Sequence, residues 1–406
     1  MKNVIAKILE KVLDKKGIKL KEEEIEKILE TPPSPEFGDY AFPCFFLGEK
    51  LKLEPSQIAL EIREEIESQP EEFEDIQTSG PYINFFLNRK NITKKLISEI
   101  LSKKENYCKK KLEKKNRIMI EFSQPNTHKA FHIGHIRGTS IGESLARISE
   151  FRGNKVIRAN YMGDIGMHVA KWIWCYKKYH SRTKLKKDER WIASIYVDAI
   201  KRLEKNKKLQ EEVDAINRKI STGEDSDLNS LWKKTKEISL KSFEKIYNEM
   251  DTKFNVYFFE SDMEKKKIEI IDELMQKKIA TVDKGAVIVN LKKHNLGVWV
   301  LLRKDETPLY SVKDIALAKV KFSKYKLNES IYLIGAAQSL HMAQLFKTLE
   351  LMNFPNAKNC KFIPFSEIRL PTEKMSSRTG KNILYSDFMK EMKEYAKEHD
   401  LELGAL

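Results

Sequence analysis

Three histidines, a lysine and two glycines fall within "PNTHKAFHIGHIRG", Pro125 to Gly138, in a 406-residue chain that holds eight histidines in all. His132 and His135 are three apart, so in a first helical turn they share a side. Imidazoles placed there can donate to phosphate oxygens. A helix N-terminus adds free N–H groups and the positive end of the helix dipole. Gly134 brings no side chain, so a flat base or a sugar can approach the backbone closely. Lys129 adds a cation just ahead of the turn. A zinc site is the weaker reading, because it wants a third ligand, HEXXH is absent, and His128 lies back in the loop. The plain reading is an ordinary helix start, and HxGH alone leaves it level with nucleotide binding.

A second stretch tips that balance. "LPTEKMSSRTGKNI" (370–383) is a Gly- and Ser-containing loop with Lys374, Ser376, Ser377, Arg378 and Lys381. Small residues let a loop move, and its cations and hydroxyls suit a triphosphate. A basic surface loop is the common alternative. Both signals at the two ends of one α/β pattern are more specific than either.

The elements that must position these residues follow from periodicity. "RIMIEF" reads as a strand, "GHIRGTSIGESLARISEFRG" as a helix ending near Gly153, and "NKVIRANY" as a second strand, a βαβ unit with a parallel sheet. Ligands of such sheets bind outside the carboxyl ends of the strands. Residues 169–250 are charged and helical without a strand signal. Strands resume at "FNVYFF", "AVIVNL", "VWVLL" and "SIYLIGA", the last running into the helical "SLHMAQLFKTLELM". The economical fold is a doubly wound sheet with a helical insertion. Ahead of it, residues 1–112 read as a small α+β domain. Helices at about 3–15 and 21–30 precede a loop, "TPPSPEFGDYAFPC". A helix "SQIALEIREEIES" follows with Ser56 as N-cap, then a turn and strand, "GPYINFFLN". "KKENYCKKKLEKKNR" (103–117) is a basic linker, a solvated helix end or a phosphate-contacting hinge. A last helix begins at Ser386 or Asp387.

Composition narrows the class. A hydrophobic fraction of 41%, with 20 Phe, 14 Tyr and 5 Trp, excludes global disorder. The net charge of +15 fits a polyanionic partner such as nucleic acid as well as it fits a Lys-rich proteome. Cys44, Cys108, Cys175 and Cys360 form no CxxC pair, which argues against a disulfide framework or zinc ribbon and suits a reducing cytosol. No apolar run approaches the roughly 18 residues of a transmembrane helix. A cytoplasmic protein with no membrane partner is expected.

HIGH at 132–135 paired with KMSSR at 374–378 resembles the class I aminoacyl-tRNA synthetases. "EFSQPNTHKAFHIGHIRGTSIGESLARI", "NYMGDIGMHVAKW", "TPLYSVKDIALA" and "GAAQSLHMAQLFKTLEL" are similar to arginyl-tRNA synthetase. "FGDYA" and "GPYINFFLN" resemble that family's additional N-terminal domain. The likeness covers essentially residues 1–385. It implies an N-terminal tRNA-binding domain (1–112), a class I catalytic domain of Rossmann type (113–384) and the start of a helical C-terminal domain (385–406). It also implies activation of L-arginine by ATP to arginyl-adenylate, then transfer to the 3′-terminal adenosine of tRNA-Arg.

By this resemblance His132, His135, Lys129 and Lys374 are catalytic. Gly134, Ser376, Ser377 and Arg378 join His132, His135 and Lys374 around ATP. Lys129 stands in for a lysine that the commoner K-M-S-K-S loop would place at 377, where this chain has serine. Glu260, Tyr310 and Asp314 match guanidinium contacts, ideally bidentate. Asn126 and Gln338 match residues at the α-amino and carboxylate end. Asn84 and Phe86 match a surface that meets the outer corner of the tRNA. Magnesium is expected with ATP and no resident metal site is expected. A monomer is expected. The family's helical anticodon-binding domain extends well past the mobile loop, so a fragment or a separate anticodon-binding chain is anticipated. The rival readings are a synthetase-like paralogue or split-enzyme subunit that activates arginine without charging full tRNA-Arg alone, and a non-catalytic RNA-binding relic.

Overall fold

The computed structural model describes residues 1–66, 69–109, 115–304, 309–366, 368 and 383–399. Lys374, Ser376, Ser377 and Arg378 lie outside the described residues. The chain divides after Lys109 into two compact units.

The first unit opens with α1 (Lys2–Lys15), whose Ile5, Leu9, Val12 and Leu13 recur at helical spacing and are buried. Next come α2 (Glu22–Ile28), β1 (Tyr40–Pro43), α3 (Phe45–Leu51) and α4 (Pro55–Glu64). β2 (Phe73–Ser79), β3 (Tyr82–Leu87) and α5 (Arg89–Lys103) complete it. The stretch expected as a loop therefore contains a strand. β1 is an edge strand of the antiparallel sheet β1-β3-β2, which is where a proline lacking an N–H can sit. α4 starts at Pro55 with Glu54 as its cap residue, so Ser56 is not the N-cap; proline's fixed φ suits the first helical position. β2 and α5 went unread in the sequence. Asn88 caps α5, its side chain accepting from Asn91 N–H at 3.0 Å.

The second unit carries the parallel sheet. In chain order its elements are β4 (Arg117–Glu121), α6 (Ile133–Phe151), β5 (Lys155–Met162), α7 (Met167–Cys175), α8 (Glu189–Lys205), α9 (Gln210–Thr222), α10 (Ser226–Glu249) and β6 (Val256–Phe259). There follow α11 (Glu260–Glu264), α12 (Lys267–Gln276), β7 (Ala280–Asp283), β8 (Ala286–Asn290), β9 (Val298–Leu302), α13 (Tyr310–Tyr325), β10 (Glu329–Gly335), α14 (Ser339–Leu351), β11 (Cys360–Phe365) and α15 (Tyr385–Glu398). The order β11-β10-β4-β5-β6, all parallel, is the doubly wound Rossmann-type arrangement. Strand order reverses between β4 and β10, so the crevice at their carboxyl ends is the switch point where ligands bind. α7 to α10 form the helical insertion between β5 and β6.

Residues of α6 and of α13 and α14 pack on opposite faces of the sheet. Ile118, Ile120 and Leu333 bury toward the α6 side, Met119, Ala159 and Tyr332 toward the other. α6 comes close because it is notched. A Cβ on Gly142 would overlap the Phe122 ring, and one on Gly138 would stand 3.1 Å from Phe365. On the other face a buried Lys321–Glu121 pair, 2.6 Å apart, ties α13 to the end of β4.

"AVIVNL" and "VWVLL" are strands, but not of the parallel sheet. They are β8 and β9 of a separate antiparallel sheet with β7. The cause is local. Lys284 and Gly285 both have positive φ (48° and 82°), as a two-residue hairpin turn of the primed type requires, and that turn reverses the chain immediately. α15 begins at Tyr385 after Leu384, not at Ser386 or Asp387.

Candidate active site

The loop from β4 to α6 is strained and held. Ser123, Gln124 and His128 all have positive φ (77°, 49° and 63°) without being glycine. Such backbone persists only where its surroundings over-determine it. Here Ser123 Oγ meets Tyr247 OH at 2.8 Å and accepts from Thr139 Oγ1 at 2.9 Å. Asn160 Nδ2 donates to Tyr247 OH and its Oδ1 accepts from Gln124 N–H. His128 is a buried brace. Its rings of partners are Thr127 and Thr235, its N–H reaches Ser239, and burial lowers its pKa to about 3.

His132 caps α6, and the two motif histidines cap each other. His132 Nδ1 accepts from Gly134 N–H and His135 Nδ1 accepts from His132 N–H, each at 3.2 Å. Their rings stack 3.9 Å apart. Burial, followed by weaker charge effects that include Lys129, lowers His132 to about 4 and His135 well below its ordinary value. Both are neutral at pH 7. With each Nδ1 accepting, each proton sits on Nε2, so the pair presents two N–H donors without carrying charge.

Two expectations change here. The first N–H groups of α6 are not free: Ile133 N–H donates to Ile383 O, and Gly134 N–H to His132. The room over Gly134 is filled by His132's own ring, 3.0 Å from where a Cβ would stand. An anion at this end would therefore meet imidazole donors and Lys129 rather than bare backbone. Lys129 lies over the Tyr196 ring at 5.4 Å. Residues 383–385 are fastened to the same turn, through Ile383 O and through Tyr385 N–H donating to Phe131 O at 3.0 Å.

The other residues gather at neighbouring strand ends. Asn126 and Glu260 meet across Gly163, where a Cβ would overlap Asn126 Oδ1 and stand 3.2 Å from Glu260 Oε1. Buried Asp164 sets Glu260 by accepting Ser261 N–H at 2.9 Å and Ser261 Oγ at 2.7 Å, with Lys236 balancing its charge at 2.6 Å. Glu260 Oε2 is 2.9 Å from Lys313 Nζ. Burial raises the Glu260 pKa against the pull of that lysine. Asp314, next to Lys313 on α13, pairs through Oδ2 with His341 Nε2 at 2.6 Å. The exposed Tyr310 sets its ring edge-on to His341, 4.5 Å between centroids. Gln338 is exposed, at the start of α14, three residues before His341. Asn126, Glu260, Tyr310 and Asp314 thus belong to one linked cluster at the switch point. Gly163, Asp164, Lys313 and His341 belong to it too and were not read from the sequence; "NYMGD", "SVKD" and "QSLH" place each beside a residue that was.

Among the described residues the Cys, His and carboxylate groups near enough to share an ion are Cys175, His180 and Asp198 in the insertion. Arg202 already bonds the same Asp198 oxygen at 2.9 Å. In the first unit Asn84 and Phe86 share one face of β3; Asn84 is buried and Phe86 half-buried.

The model of the class I (R) tRNA synthetase catalytic domain matches residues 96–402, and that of the arginyl-tRNA synthetase N-terminal domain matches residues 1–87. The chain belongs to the arginyl-tRNA synthetase family. The arginine–tRNA ligase of Clostridium perfringens is 35% identical over 385 residues, 95% of this chain and 68% of the relative. That of Clostridium kluyveri is 35% identical over 390 residues, 96% and 68%. Among solved structures, the arginyl-tRNA synthetase of Thermus thermophilus matches with a TM-score of 0.68 at 21% identity, over 98% of this chain and 70% of its own. That of Plasmodium falciparum matches with a TM-score of 0.67 at 22% identity, over 97% and 68%. These two likenesses are of fold. No described helix of this family member is long and apolar enough to cross a membrane.

Proposed function

We propose that this chain is an arginine–tRNA ligase. It binds ATP and L-arginine at the switch point, joins the arginine carboxylate to the α-phosphate with release of pyrophosphate, and passes arginine to the 2′-hydroxyl of the terminal adenosine of tRNA-Arg. The observation that carries the reading is the pairing of two neutral, Nε2–H-donating histidines with an acid cluster on the same crevice. Charge in this reaction builds on phosphate oxygens, and pre-aimed donors stabilise it there. The second requirement is a cationic side chain held in place, which the acids answer. Glu260 and Asp314 each spend one oxygen on the protein, so the guanidinium is held by single bonds from two acids rather than bidentately by one.

In this reading Asn126 and Gln338 hold the α-amino and carboxylate end. His132, His135, Gly134, Lys129, Lys374, Ser376, Ser377 and Arg378 serve ATP. Magnesium comes with the nucleotide and takes oxygen ligands from its phosphates. Residues 1–112 bind tRNA through Asn84 and Phe86, 113–384 catalyse, and 385–406 begin a helical domain. All four cysteines are free thiols, which suits a cytoplasmic monomer. ATP–pyrophosphate exchange with and without tRNA-Arg, followed by aminoacylation, tests the reading. Arginine-dependent exchange is expected. Its absence, with ATP bound, would favour an RNA-binding relic.

A further inference from the structure

His341 lies between two groups that leave it no choice of tautomer. Its Nδ1 is 3.2 Å from the indole Nε1 of Trp299, and its Nε2 is 2.6 Å from Asp314 Oδ2. An indole N–H only donates, so Nδ1 must accept, and the ring proton sits on Nε2 facing the carboxylate. Both rings are buried, His341 at 8% and Trp299 at 4% exposure, so solvent does not compete for these bonds. Tyr310 closes the third side of the imidazole with its edge-on ring. Trp299 comes from the small antiparallel sheet, Asp314 and Tyr310 from α13, and His341 from α14. One imidazole therefore connects three elements, and two of its neighbours, Asp314 and Tyr310, are assigned to the substrate guanidinium.

We propose that His341 is the positioning residue of the arginine pocket: fixed by Trp299, it holds the Asp314 carboxylate by Oδ2 and turns Oδ1 to the substrate. The inference rests on the arginine-pocket reading above. A neutral donor is the suitable partner for this task. It locks the rotamer of Asp314 yet leaves the carboxylate its full charge, which a lysine or arginine in the same place would cancel. Glu260 shows the contrast, since part of its charge is offset by Lys313, which it shares with Glu264 at 2.9 and 3.3 Å. Asp314 is thus the acid whose protein partner offsets none of its charge, and its orientation decides how much of the attraction to the substrate cation is realised.

The test compares His341→Ala, His341→Gln, Trp299→Phe and Asp314→Asn in the full chain. Each is followed by arginine KM, ATP KM and kcat in tRNA-dependent ATP–pyrophosphate exchange, and by thermal midpoint. His341→Ala is expected to raise arginine KM about tenfold or more, the loss of a hydrogen bond to a charged group, with ATP KM within about twofold. His341→Gln, which keeps a donor, recovers part of the loss. Trp299→Phe raises arginine KM less, because it frees the tautomer without removing the ring. An unchanged arginine KM in His341→Ala, or arginine and ATP KM rising together, overturns the inference. If Asp314→Asn raises arginine KM and His341→Ala does not, the inference alone fails. If Asp314→Asn leaves arginine KM unchanged, the pocket reading itself fails.

Discussion

Gly163→Ala is a one-methyl perturbation aimed at the arginine pocket. The new Cβ would overlap Asn126 Oδ1 and approach Glu260 Oε1 to 3.2 Å. Gly163 cannot swing aside, because its carbonyl accepts Thr127 N–H at 2.9 Å, Thr127 Oγ1 at 3.2 Å and His168 Nε2 at 3.1 Å. Asn126 must therefore give way. If Asn126 bonds the charged α-amino or carboxylate end, losing that bond costs about 1.5–3 kcal/mol. That is roughly 10- to 150-fold in kcat/KM for arginine. Folding stability changes little, since alanine restricts the unfolded chain by about 0.4–1 kcal/mol, which offsets strain at a displaced, half-buried amide. The assay is ATP–pyrophosphate exchange at saturating ATP and tRNA with arginine varied, alongside a thermal melt. A variant with parent-like melting and arginine kcat/KM within about threefold of the parent would refute the placement of Asn126 at the substrate.

Lys129→Ala should slow adenylate formation more than it weakens arginine binding; a single-turnover activation rate equal to the parent's would remove Lys129 from the ATP site. Acid should destabilise the second unit. Burial lowers His128 to about 3 and His132 to about 4, and it holds His135 and His168 well below their ordinary value, so from pH 6.5 downward the unfolded chain takes up protons that the folded chain refuses. By pH 5 His128 and His132 have each lost about 2 kcal/mol of stabilisation, and His135 and His168 add to the loss in the same direction. Urea midpoints at pH 7.5 and 5 should show it, and equal midpoints would contradict the burial. Glu189 runs the other way. Burial lifts its carboxyl to about 7 although the N–H groups of Tyr385 and Ser386 favour its charge, with Arg190 and Asp387 alongside. Its stabilisation is complete below its unfolded value and declines by about 3 kcal/mol as pH rises through 7. Glu189→Gln should therefore protect the amides of 385–390 from hydrogen exchange at pH 8 and change little at pH 5. A gain that is the same at both pH values would assign the effect to something other than this carboxyl.

Legibility followed the range of the forces involved. The βαβ order and the insertion were readable because strand and helix periodicities persist over whole elements, as in β4, α6 and β5. β8 and β9 went to the wrong sheet because a strand's pattern does not name its partner; the turn at Lys284–Gly285 did, and only glycine marked it. β1 was hidden by proline, which looks like a loop signal until the strand is known to be an edge. At the site, the motif residues were legible as types, but their states were not. Nothing in "HIGH" says that each histidine caps the other, so the helix N-terminus was expected to be open. Gly163 and His341 act through residues far along the chain, and such partners appear only after folding.

Two fastenings on α6 acquire a further meaning together. The Phe365 ring rests at Gly138, and Ile383 O holds Ile133 N–H, five residues earlier on the same helix. At 1.5 Å rise per residue those anchorages are about 7.5 Å apart along its axis. Phe365 and Ile383 are thus anchored to one helix although 17 residues of sequence lie between them, so the entropy of bringing those two positions together is charged to folding. Lengthening the sequence between those two residues would add to that cost, by about 0.6 kcal/mol for each doubling, without touching either motif histidine.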